Sequence, residues 1–214
     1  MKILVTGFDP FGGESLNPAF EAVKLLPDNI AGAEIIKLEI PTVFGKGAMA
    51  VEKAIEEHKP NCVVCVGQAG GRSCISIEKV GINYIDARIP DNDGNQPFDV
   101  KIKEDGENAY FATLPIKAMV ENVKKHGLQS HLSFTAGTYV CNDVMYSLLY
   151  YINKNNLDIK GGFIHVPYTI SQTVDKANGT PGWSEDCIAK GLEYAIEAIA
   201  LNDEDKSIAL GTTH

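Results

Sequence analysis

Nucleophilic acyl transfer needs a thiol or hydroxyl, a base and a group that orients the base. This 214-residue chain holds a cysteine, a histidine and a carboxylate, each near a point where a regular element meets a loop. Cys141 follows Phe134-Thr-Ala-Gly-Thr-Tyr-Val, in which an apolar strand ends, a loop of small residues (135–138) follows and a helical pattern begins. A cysteine at a helix start feels the positive end of the macrodipole and nearby N–H groups. Both favour thiolate, and the same N–H groups can hold an oxyanion. The plainer alternative is a small hydrophobe packed under the helix.

His165 lies in Gly161-Gly-Phe-Ile-His-Val-Pro, an apolar strand broken by Pro167. That places it at the carboxyl edge of a sheet, where open α/β folds gather their sites. A strand-end histidine bonded to a backbone carbonyl is the alternative. A catalytic base there is expected to face the helix bearing Cys141, because these are consecutive elements of one βαβ unit. His58, His126 and His214 fall at helix ends or the terminus, and His131 begins a strand. Glu78 follows the Gly-rich loop Gly67-Gln-Ala-Gly-Gly-Arg72, among Ile75, Ile77 and Val80. It is either solvated on the polar face of a strand or paired to fix an imidazole.

The opening loop Gly7-Phe-Asp-Pro-Phe-Gly-Gly13 follows a first strand but lacks Gly-x-Gly-x-x-Gly and a Walker lysine. Phe8 and Phe11 suit the walls of an apolar slot for a small, flat, uncharged ligand, or else plug the sheet edge. Cys62-Val-Val-Cys65 has redox spacing but sits inside an apolar strand, which predicts core packing. Asp91-Asn-Asp-Gly94 lacks the further ligands of a calcium loop and reads as a turn.

The formal net charge of −9 argues against nucleic-acid or anionic-membrane partners. No apolar run approaches the roughly 20 residues needed to span a bilayer. The N-terminal apolar run is too short for a signal peptide. Five cysteines without a disulfide-scaffold spacing fit a reducing compartment, so a cytosolic protein is expected.

Short apolar runs alternate with amphipathic helical patterns, predicting an α/β fold: one three-layer α/β/α sandwich over 1–214 with a mostly parallel sheet. Strands are expected at 3–6, 34–40, 62–66, 131–134 and 162–166. Helices are expected at 19–26, 47–58, 116–126, 141–153 and 184–201. Residues 75–89, with the turn cluster 90–97, predict an antiparallel excursion from the sheet.

Six motifs in order resemble the pyroglutamyl peptidase I family of cysteine peptidases. They are Gly7-Phe-Asp-Pro-Phe-Gly-Gly with Asn17-Pro18; Gly67-Gln-Ala-Gly-Gly-Arg72; Glu78; Asp86-Ala-Arg88-Ile-Pro; Thr135-Ala-Gly-Thr138 with Val140-Cys141-Asn142; and His165-Val-Pro167. The resemblance implies a Glu–Cys–His triad on Glu78, Cys141 and His165, with Arg88 stabilising charge at the reacting carbonyl. It implies a pocket where Phe8 and Phe11 flank a pyroglutamyl ring and Gln68 adds polar contacts. It further implies peptides with an N-terminal pyroglutamate as substrates, a cytosolic homotetramer, and no metal or cofactor. Two positions depart from the family pattern: Phe134 replaces an asparagine, and Tyr139 replaces a pocket-lining phenylalanine, adding a hydroxyl that needs a partner. Rival readings are a phosphorylase or nucleosidase of similar layout, which needs cationic side chains on the Gly-rich loops, and a non-catalytic binding module.

Overall fold

The computed structural model describes residues 1–213; His214 lies outside the described residues. The chain begins with β1 (Lys2–Phe8), α1 (Pro18–Lys24), β2 (Asn29–Ile30), β3 (Ala33–Ile40), α2 (Lys46–His58) and β4 (Cys62–Gln68). Next come β5 (Ile75–Glu78), β6 (Val80–Ile82), β7 (Ala109–Phe111), α3 (Ile116–Lys125) and β8 (Ser130–Ser133). The last part holds α4 (Val140–Lys154), β9 (Lys160–Val166), β10 (Tyr168–Thr169), α5 (Ile170–Thr173), β11 (Gly182–Trp183) and α6 (Glu185–Leu201).

The central seven-stranded sheet has the order β2-β3-β1-β4-β9-β5-β8. Its middle strands β1, β4 and β9 are buried almost end to end, as expected of parallel strands covered on both faces. α2 and α4 pack together over one face, and α1 and α3 pack against α6 over the other. The predicted three-layer α/β sandwich with a mostly parallel sheet is therefore what forms. Cys62 and Cys65 are core residues, as their apolar run suggested. Asp91–Gly94 is a turn closed by the Gly94 N–H donating to the Asp91 carbonyl at 3.0 Å, and the Asp91 carboxylate accepts backbone N–H groups from Phe44, Asp93 and Asn95.

Two expectations need correction. β8, α4 and β9 do not form a simple βαβ unit. β5 lies between the two strands, parallel to β8 and antiparallel to β9, so β8 and β9 run in opposite directions. The excursion also begins one strand later than expected. Ile75–Glu78 belongs to the main sheet, whereas β6 pairs antiparallel with β7 in a separate ribbon. An Ile85–Val100 bridge closes the long loop between them. Ser76 and Glu78 look like the solvated face of an edge strand, but both are fully buried. β8 and β9 flank β5, α3 and α6 cover its Ile75 and Ile77 face, and on the other face Arg72 and His165 close over Glu78.

Candidate active site

Three parallel strands deliver side chains to one carboxyl edge: Phe8 at the end of β1, Gln68 at the end of β4 and His165 near the end of β9. Gly67 is the cross-strand partner of His165. A Cβ at position 67 would stand 2.8 Å from Cys141 Sγ and 2.8 Å from the Phe163 ring. Only glycine leaves room there for the thiol to lie over the sheet.

β5 enters this edge from the opposite direction. Glu78 is registered against Phe163, which places it diagonally from His165 on the same face, within reach of a long side chain. The His165 Nδ1 to Glu78 Oε1 distance is 2.7 Å, with His165 only 3% exposed and Glu78 fully buried. Burial favours the neutral form of Glu78, but bonding and charge from His165 and the charge of Arg72 outweigh it, holding its carboxyl below the usual range. An ionised carboxylate on Nδ1 sets the tautomer with the proton there and leaves the Nε2 lone pair basic. Burial lowers the pKa of His165 against the opposing pull of Glu78, so the resting imidazole is neutral.

Cys141 is the second residue of α4, after Tyr139 in an extended conformation and with no side-chain cap on the helix. The N–H groups of the first turn thus remain available. Burial, followed by the charge of Glu78, pushes the Cys141 thiol up to about 12. At neutral pH Cys141 is therefore held as a thiol, against the thiolate that its helix-start position alone suggested.

A cavity of about 230 Å³ lies at this edge and includes Cys141, His165, Phe8, Phe11, Gln68 and Tyr139 in its lining. It is smaller than typical pockets for drug-sized ligands, roughly 300–1,000 Å³, and so suits one small ring and its attached carbonyl. Phe8 is buried against Phe163, Phe11 packs on Tyr139, and Phe44 meets Tyr139 edge-on at 5.3 Å. The hydroxyl of Tyr139 donates to the Pro90 carbonyl at 2.9 Å, which ties the cavity wall to the excursion loop. Gln68 accepts a bond from Gln172 Nε2 at 2.9 Å. Gln172 is itself oriented by the Thr169 N–H donating to its Oε1 at 3.0 Å. Because a backbone N–H can only donate, this chain fixes both amides and leaves the Gln68 NH₂ free to donate elsewhere.

The structure thus brings together Glu78, Cys141, His165, Phe8, Phe11, Gln68 and Tyr139. It does not bring Arg88. That residue is exposed on the excursion loop outside the cavity lining, because the buried neighbour Ala87 is the side chain turned inward. The cation at the site is Arg72, which donates from Nη1 to Glu78 Oε1 at 2.6 Å and from Nη2 to the Thr135 carbonyl at 2.9 Å. Arg72 was visible in the Gly67–Arg72 motif, but only as a loop cation. Asn142 stood in the Val140-Cys141-Asn142 motif with no role assigned to it, and Gln172 carried no signal in sequence. Asn142 is wholly buried, accepts from the Ile82 N–H and donates to the Ile82 and Tyr84 carbonyls, pinning β6 to α4.

A sheet-edge cavity holding a thiol beside a carboxylate-oriented imidazole marks the protein as a cysteine hydrolase of the α/β class. The family model described as pyroglutamyl peptidase matches residues 1–202, and the chain belongs to that family. It is 59% identical over 205 residues to a pyrrolidone-carboxylate peptidase of Clostridium perfringens, covering 96% of each chain. It is 58% identical over 214 residues to one of Enterococcus faecalis, covering both chains completely. Among solved structures, pyroglutamyl peptidase I of Bacillus amyloliquefaciens superposes with a TM-score of 0.94 at 46% identity, covering 97% of this chain and 99% of that one. A mutant pyrrolidone carboxyl peptidase of Pyrococcus furiosus gives a TM-score of 0.89 at 41% identity, covering 93% and 98%. Among the described residues, no helix is long and apolar enough to cross a membrane.

Proposed function

We propose that this enzyme hydrolyses the peptide bond after an N-terminal pyroglutamyl residue through a thioester on Cys141. The observation that carries the triad is the 2.7 Å contact between His165 Nδ1 and Glu78 beside the cavity that holds the Cys141 thiol. His165 Nε2 takes the thiol proton as sulfur attacks the carbonyl carbon, and the negative charge passes to the carbonyl oxygen. In this reading the Cys141 N–H at the start of α4 receives that oxyanion. His165 then gives the proton to the leaving amine. Water, deprotonated by His165, attacks the thioester and releases pyroglutamate and the thiol. No step uses a metal or cofactor.

Specificity follows from the cavity's chemistry. A neutral lactam fits between Phe8, Phe11 and Tyr139, whereas a glutamyl or prolyl N-terminus brings an ammonium with no anionic partner in the lining. The free NH₂ of Gln68 suits the lactam carbonyl. The phosphate-handling alternative fares worse, since Arg72 is committed to Glu78 and Arg88 lies outside the cavity.

Fluorophore release from pyroglutamyl-aminomethylcoumarin should be rapid, and release from the prolyl and glutamyl analogues absent; a reversed preference would sink the reading. The pH profile has a set direction. The reactive form holds His165 neutral, and burial lowers its pKa from 6.5. kcat/KM should therefore be flat through neutral pH and fall only at a pH below 6.5. An acid limb above that value would contradict the assignment of His165.

The reading includes a cytosolic homotetramer. Phe98 and Val100 on the excursion loop are 73% and 42% exposed and offer apolar surface for a contact between copies. Light-scattering mass in solution should give four chains; a monomer would remove this part of the reading.

A further inference from the structure

We propose that Arg72 is a positioning residue for this reaction, its guanidinium clamping Glu78 to the loop between β8 and α4 so that the base and the nucleophile's side of the cavity hold one geometry. The inference rests on the peptidase reading above and extends it to a residue outside the triad. Arg72 lies in the loop after β4, which turns back through the Arg72 N–H donating to the Ala69 carbonyl at 3.2 Å. From there one planar side chain spans two elements. Nη1 reaches Glu78 Oε1 at 2.6 Å and the Ser133 hydroxyl at 3.4 Å, and Nη2 reaches the Thr135 carbonyl at 2.9 Å. Thr135 opens the loop that supplies Ala136, Gly137 and Tyr139 to the cavity and leads into Cys141. Its hydroxyl accepts from the Gly137 N–H at 3.1 Å, so the clamped carbonyl and the cavity wall belong to one turn.

Geometry of this kind needs arginine. A guanidinium donates along two directions at once, whereas an ammonium is a point charge that cannot hold both a carboxylate and a carbonyl on fixed lines. Glu78 Oε1 takes bonds from both His165 and Arg72, so the position of the guanidinium sets where the carboxylate stands, and hence how the imidazole is turned. Partial exposure of the Arg72 side chain, at 27%, does not make this an ordinary surface ion pair, because its partner carboxylate is fully buried.

Charge supplies a readout that a purely structural role would not move. The groups facing the clamp are Glu78 from β5, His165 from β9, His131 from β8, Cys74 from the loop before β5 and Cys141 from α4. The positive charge of Arg72 lowers the pKa of both His165 and Cys141, and the negative charge of Glu78 raises both. Removing Arg72 and removing Glu78 should therefore displace the titrations in opposite directions.

The experiment compares wild type, Arg72→Gln, Arg72→Lys and Glu78→Gln in two measurements: the pH profile of pyroglutamyl-aminomethylcoumarin hydrolysis, and the rate of iodoacetamide alkylation at Cys141 at a fixed, mildly alkaline pH. Arg72→Gln should lower kcat by about 100-fold with KM changed by no more than about threefold, the pattern of lost positioning. Its acid limb should move up by about half a pH unit or more, and its alkylation should slow. Glu78→Gln should move the acid limb down. Arg72→Lys keeps the charge but not the two-pronged clamp, so its acid limb should stay at the wild-type position while kcat still falls about tenfold. An Arg72→Gln enzyme with wild-type kcat and an unmoved profile overturns the inference. If that variant does not fold, Arg72→Lys with wild-type kcat does the same. Alkylation requires no substrate. A wild type that alkylates at Cys141 but releases no fluorophore therefore defeats the substrate reading, and the Arg72→Gln alkylation rate still decides for or against the clamp.

Discussion

Changing Cys141 to serine should reduce kcat for pyroglutamyl-aminomethylcoumarin by about 10⁴-fold or more, while the melting temperature stays within about 2 °C of wild type. The two side chains differ by one atom and the site is already shaped around a small group over Gly67, so packing changes little. The chemistry changes far more. Burial and the Glu78 charge already make the Cys141 proton hard to remove, and His165 is a neutral, weakly basic imidazole. A serine hydroxyl is several pKa units less acidic than a thiol, so the same base in the same site cannot generate an effective nucleophile from it. Cys187→Ser, in the first turn of α6 and away from the cavity, serves as the control and should keep wild-type kcat. Loss of activity in the control together with survival in Cys141→Ser would remove Cys141 from the mechanism.

Cys141 and His165 each carried a local signal, a small-residue loop before a helical pattern and an apolar strand broken by proline, and both line the cavity; neither signal alone outweighed core packing or a backbone-bonded histidine, and the ordered motifs joined them. Glu78 was not readable locally. The segment Ile75-Ser-Ile-Glu alternates like a half-exposed strand, and what buries it is pairing with β9, whose residues lie nearly ninety positions later. The same long-range pairing explains why β8 and β9 were expected to be neighbours. Nothing in the 131–166 stretch announces that an earlier strand inserts between them in the opposite direction. Tyr139 follows this logic too. Its extra hydroxyl is satisfied by the Pro90 carbonyl, forty-nine positions earlier, on a loop whose path over the cavity depends on the whole excursion. Arg88 and Arg72 show the limit of a motif. Both stand in recognisable stretches, but which guanidinium reaches the carboxylate depends on how each loop leaves its strand.

Truncating Glu78 should be the costliest change to the site because it acts on folding and catalysis together. Glu78→Ala should lower kcat by about 10³-fold and destabilise the fold by about 3 kcal/mol at neutral pH. It leaves the His165 Nδ1–H and an Arg72 donor without their buried acceptor. Glu78→Gln keeps the volume and one acceptor oxygen, so its stability loss should be smaller, about 1–2 kcal/mol. The pH dependence of that difference has a definite sign. The folded pKa of Glu78 is depressed below its ordinary 4.5, so its ionised form contributes stability that is fully present above that value and is lost as pH falls through the folded pKa. Denaturant titrations of wild type and Glu78→Gln should therefore differ most at neutral pH and converge only on acidification below 4.5. A gap that stays constant down to strongly acid pH would mean that Glu78 is not held ionised, and the orientation of His165 would then need another source. A Glu78→Ala enzyme within tenfold of wild-type kcat would remove the carboxylate from the triad altogether.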